Sequence, residues 1–75
     1  MMVHMKRYSV VVERGESNCS AYSPDVPGCV ATGKSVEETL KNFTEALEFH
    51  LEGMRLEGLP IPEPSTQVEY VEVAA

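Results

Sequence analysis

Seventy-five residues make a single domain with a thin interior, and a formal charge of −6 at neutral pH repels phosphate, which argues against direct nucleic-acid binding. Cys19 and Cys29 show no CxxC or other metal-ligand spacing, so they read as reduced, packed thiols. No apolar run approaches a membrane span or a secretory leader, so the composition points to a soluble, cytoplasmic protein.

Met1 to Met5 makes a soft start that is expected to fray. Tyr8 to Glu13 (YSVVVE) is rich in aromatic and β-branched residues and reads as a first strand. Its three consecutive valines predict apolar neighbours on both faces, as in a central strand. Arg14 to Asn18 is a polar, Gly-containing hairpin loop. Cys19 to Ser23 is a short second strand. Pro24-Asp25-Val26-Pro27-Gly28 is a rigid turn, with Pro27-Gly28 at the central positions of a type II turn. Cys29 to Thr32 is a third strand. A disulfide between Cys19 and Cys29 is open if their strands pair, but nothing requires it.

Ser35 to Gly58 is the long helix. Val36, Leu40, Phe43, Leu47, His50/Leu51 and Met54 recur at three and four residues, on one side. Ser35 and Glu38 form a capping box, and Gly58 followed by Pro60 is the stop. Leu59 to Pro64 alternates proline with other residues and is an extended connector. Gln67 to Val73 (QVEYVEV) alternates and reads as a last strand. Ala74 and Ala75 are expected to fray.

The resulting order is β-β-β-α-β, an α+β fold. Short loops make the first three strands an antiparallel meander. A right-handed helical crossover then sets the last strand parallel beside the first, in spatial order 3-2-1-4. One helix covers one face of this sheet, leaving the other face, or an edge, for a partner.

The chemistry-bearing residues do not assemble into an active site. His4 lies near the start with no candidate partner, and His50 sits at the edge of the apolar stripe with no His or Cys three or four residues away. Asp25 is the only aspartate, and most of the glutamates lie on the helix, so converging carboxylates are not on offer. The five glycines are isolated, with no phosphate-cradling loop. The sequence therefore predicts no enzyme, no metal and no cofactor. The informative surface is on the helix. Glu38, Glu45 and Glu52 form a row opposite the apolar stripe, and Phe49 and Leu56 fall on the same outward side. Apolar side chains among acids suit a basic protein partner; the alternative is packing against the proline connector or against a second copy. Glu45, Phe49, Glu52 and Leu56 are the candidate partner-binding residues.

Tyr22-Ser23-Pro24-Asp25-Val26-Pro27-Gly28-Cys29, then Thr32-Gly33-Lys34-Ser35-Val36-Glu37-Glu38, and then Asn42 and Glu45-Ala46-Leu47 closely resemble the HicB family of antitoxins. Leu59 to Pro64 is similar to that family's segment after the helix. The resemblance spans the chain from the first strand to the last. In its terms Pro24, Asp25, Pro27, Gly28 and Cys29 are the structural motif turn, and Ser35 and Glu38 the helix cap.

The resemblance implies a partial ribonuclease H-like fold without catalysis, since the carboxylate cluster is missing. It implies a cytoplasmic binding protein that docks on a small basic RNA-cleaving toxin of the HicA type and neutralises it. Many members carry a further C-terminal DNA-binding domain. This chain ends at Ala75, so a single domain over 1–75 that does not repress transcription by itself is the expectation. A homo-oligomer, dimer or tetramer, is expected as well, because so small a core is marginal alone. The other reading is an orphan homo-oligomeric interaction module of the same fold with no toxin partner. The two differ on whether a small basic protein accompanies the chain.

Overall fold

The computed structural model describes residues 5–75. His4 and most of the soft start lie outside the described residues. Three strands precede one helix: β1 (Val11–Arg14), β2 (Cys19–Ser23), β3 (Val26–Gly33) and α1 (Val36–Leu56). The strands form an antiparallel sheet in the order β1-β2-β3, so the α+β class and the meander stand as expected.

The fourth strand does not form. Residues 67–73 make no sheet pairing and are exposed throughout, so the expected order 3-2-1-4 is not realised. With no neighbour on its outer side among the described residues, β1 is an edge strand rather than the central one that its valines suggest. Pairing also starts later than the composition implied. Val11 is opposite Tyr22, and residues 8–10 continue beyond the ladder.

The expected turn over Pro24 to Gly28 splits into two features. Ser23 is opposite Val26, so Pro24-Asp25 alone is the hairpin turn. Tyr22 is then opposite Val30, which leaves Pro27, Gly28 and Cys29 as extra residues bulging from β3. Gly28 takes φ +86° within that bulge, a conformation that costs a glycine little. Pro27 lacks an N–H and is tolerated because β3 is the other edge of the sheet.

The bulge also decides the cysteines. Cys19 is opposite Gly33, four positions along β3 from Cys29, or about 13 Å at strand rise. The two thiols are free, buried and too far apart to bridge.

The core lies between the sheet and α1. Ala21, Val26, Cys29 and Phe43 are buried at its centre, with Tyr8, Val10, Val12, Ala31, Ala46, Leu47 and Leu51 packed around them. In β1 the alternation sends Val10 and Val12 inward and Val11 to the other face. The helix stripe is rotated slightly from the expected one. Thr39 is fully buried whereas Leu40 is 39% exposed.

Close approach of helix and strand explains this. A Cβ on Gly33 would lie 2.7 Å from Thr39 Oγ1 and 2.8 Å from the Thr39 backbone nitrogen. Gly33 and Thr39 therefore touch where β3 hands over to α1, and only small groups fit there. Thr39 meets its own polar requirement by donating from Oγ1 to the Ser35 carbonyl at 2.6 Å. Gly33→Ala is expected to destabilise the fold by about 1–3 kcal/mol, measured by urea unfolding, because backbone must move to admit the methyl group.

Both helix ends follow their sequence signals. The Ser35 hydroxyl accepts from the Glu38 N–H at 3.0 Å, while Glu38 Oε1 accepts from the Lys34 N–H at 3.1 Å, one residue before the cap. At the other end Gly58 has φ +73°. Its N–H donates to the Arg55 carbonyl and the Leu59 N–H to the Met54 carbonyl, a Schellman closure.

Candidate functional site

The proline connector returns from α1 under the start of β1 and is tied down there. The Tyr8 hydroxyl donates to the Pro62 carbonyl at 2.6 Å, and Lys6 pairs with Glu63 at 2.7 Å. The hydrogen bond to Glu63 raises the Lys6 pKa, but an exposed pair of this kind adds little stability.

Next along the chain, Asp25 takes four hydrogen bonds. The N–H groups of Ser65 and Thr66 each donate at 3.0 Å, and their hydroxyls donate at 3.1 and 2.8 Å. The motif aspartate is thus a clasp that fixes the root of the C-terminal arm to the β2–β3 turn. These donors hold its carboxyl below the usual range, with the Thr66 N–H contributing most. Because the folded-state pKa is depressed, the clasp is fully formed above the ordinary carboxylate pKa and is lost as pH falls through the depressed value. Asp25→Ala is expected to release hydrogen-exchange protection at Ser65 and Thr66 at neutral pH while leaving α1 protected; acid should do the same to the native chain.

The four candidate residues form a single line on the outside of α1. Glu45, Phe49, Glu52 and Leu56 are all exposed, Phe49 by 84% and Leu56 by 79%. Neither apolar ring nor isobutyl group packs under the connector. Glu52 pairs with Arg55 on the same surface. Phe49 also rims a groove of about 470 Å³ that runs between the bulge of β3 and the C-terminal half of α1, where Gly28, Cys29, Val30, Met54 and Leu59 form the walls. Burial raises the Cys29 pKa, which disfavours its thiolate.

Two parts of this surface escaped the sequence reading. Val30 is exposed because the three-residue bulge lets it face outward, and it lines up with Tyr22 and Val11 as an apolar row across the open face of the sheet. The bulge has a signal in Pro27-Gly28, a pair that suits a hairpin turn equally well. The Asp25 clasp has a weaker one: Ser65-Thr66, two short hydroxyl residues directly after the proline connector.

Among the described residues no three His, Cys, Asp or Glu side chains come together as a metal site, and no helix is long and apolar enough to cross a membrane. Asp25 has its carboxylate oxygens committed to the clasp.

The sequence profile of the HicB_like antitoxin of bacterial toxin-antitoxin systems matches residues 8–74. The chain belongs to this antitoxin family. An uncharacterised 14.9 kDa protein of Haemophilus phage HP1 is 31% identical over 64 residues, covering 85% of this chain and 48% of the phage protein. A UPF0150 protein of Helicobacter pylori is 44% identical over 43 residues, covering 57% of this chain and 60% of that protein. The chain thus spans about half to three-fifths of the length of these relatives. A chain of the solved HicA3 and HicB3 toxin-antitoxin complex superposes with a TM-score of 0.68 at 30% identity, covering 80% of this chain and 70% of that one. The HicB-like family therefore supplies both the sequence pattern and the sheet-and-helix frame on which the exposed stripe is mounted.

Proposed function

We propose that this HicB-like chain is a non-catalytic antitoxin that docks on a small, basic, HicA-type RNA-cleaving toxin and blocks it. The observation that carries the reading is the outer stripe of α1. The Phe49 ring stands in solvent between Glu45 and Glu52, and Leu56 stands in solvent one turn beyond Glu52, on a chain of an antitoxin family. Large apolar groups flanked by acids match a basic surface that ordinarily holds RNA phosphate, with the apolar anchors giving affinity and the carboxylates giving orientation and encounter rate. The same carboxylates repel RNA, so the antitoxin does not compete for the substrate itself.

The test is reconstitution. The full chain is mixed with the toxin encoded beside it, and RNA cleavage is followed against the molar ratio. Stoichiometric protection supports the reading, and protection should weaken as salt is raised because part of the encounter is electrostatic. Unimpaired cleavage at excess antitoxin overturns it. A chain recovered from its host with no small basic companion would instead favour an interaction module of the same fold without a toxin.

A further inference from the structure

The arm after the clasp is built as a strand and has no sheet. Residues 67–73 are rich in β-branched and aromatic side chains, and the period of two puts Val68, Tyr70 and, at its end, Glu72 on one face and Gln67, Glu69, Val71 and Val73 on the other. Val68, Tyr70, Val71 and Val73 are all exposed, Tyr70 by 92%. The radius of gyration is 14.3 Å, against about 11 Å for a compact chain of this length, and the longest extent is 47 Å. A run of exposed β-branched and aromatic residues of this kind marks an interaction site.

The fold also has a vacancy of the matching shape. Beside the outer edge of β1, unpaired among the described residues, a groove of about 640 Å³ opens under α1, with Tyr8, Val10, Phe43, Leu47, Leu51 and Ile61 as its apolar wall and Lys6, Glu48, Glu52 and Arg55 also lining it. A fourth strand beside β1 would send alternate side chains into it. The chain's own arm does not fill it, being rooted at Asp25 by Ser65 and Thr66 and running out into solvent.

We infer that residues 67–73 of one copy pair with the β1 edge of a second copy, reciprocally, with Val68 and Tyr70 entering the groove between β1 and α1. Each copy thereby receives in trans the fourth strand that its own sequence encodes. The exchange is isologous and closes as a dimer. Charge favours β1 over β3 as the acceptor. Arg7 and Arg14 flank the apolar run of β1, and the arm carries Glu69 and Glu72. The edge of β3 is a poor template, because Pro27 lacks an N–H and the bulge breaks the ladder. The inference does not depend on a toxin partner.

Sedimentation of the full chain is expected to show a dimer. Tyr70→Pro should weaken that dimer by about a hundredfold or more, since proline removes a ladder donor and a groove-filling ring at once. The helix signal in circular dichroism should be unchanged, because Tyr70 touches nothing in its own fold. In a mixture of isotope-labelled and unlabelled chains, intermolecular proton contacts should run from residues 67–73 to residues 7–14. A monomeric wild type at high concentration, a dimer indifferent to Tyr70→Pro, or arm contacts to another surface would each overturn the inference.

Discussion

Phe43→Ala is expected to cost about 3–5 kcal/mol and to leave the chain largely unfolded in mild denaturant. Phe43 is 1% exposed and is the largest side chain at the centre of the cluster with Ala21, Val26 and Cys29. Among the described residues the sheet has three strands and a single helix covers it, so little else can move in to close the cavity. A domain of this length has a total stability of roughly 4–11 kcal/mol, and the loss is a large share of it. Leu40→Ala is the companion measurement. It sits three residues earlier on the same helix but is 39% exposed and outside the core, so its cost should stay below about 1 kcal/mol. Urea unfolding followed by circular dichroism reads both. Equal losses at the two positions would mean that α1 lies on the sheet in a different rotation.

That contrast shows where the sequence was informative. The spacing of apolar residues gives the helix, and Ser35, Glu38 and Gly58 give its ends, because capping chemistry is local. The rotation of the helix about its axis is a tertiary property. It is decided at Gly33, where the backbone comes so close that Thr39 rather than Leu40 must face the sheet. The strand pattern was legible for the same local reason, but pairing was not. YSVVVE reads as central and QVEYVEV as a strand, yet β1 is an edge and the arm is unpaired. Composition records that a segment suits a ladder; it does not record which chain supplies the neighbour. Pro24-Asp25-Val26-Pro27-Gly28 was legible as a break, though not as a two-residue turn followed by a bulge, since both uses draw on the same residues. The role of Asp25 as a clasp depends on contacts forty residues away, which no local pattern carries.

Phe49→Ala is expected to leave stability within about 0.5 kcal/mol of the native value while weakening toxin binding by at least about thirtyfold, or roughly 2 kcal/mol. The separation between the two effects follows from geometry. Phe49 is 84% exposed, so truncating it opens no cavity in the core. On docking, its ring would be desolvated at the centre of the stripe, beside the groove walled by Val30, Met54 and Leu59, where an anchor contributes most. The flanking carboxylates should behave differently. Glu45→Gln lies toward one end of the stripe, so it should slow association and flatten the salt dependence more than it speeds dissociation. Surface plasmon resonance against the toxin separates these rates. A Phe49→Ala chain that binds as tightly as the native one would remove the stripe from the interface. One that loses both binding and dimerisation would show that Phe49 serves self-association, and would then join the groove on α1 to the arm exchange as parts of one assembly surface. Tyr70→Pro distinguishes the two cases, because it disrupts the exchanged strand without altering the helix face on which Phe49 stands.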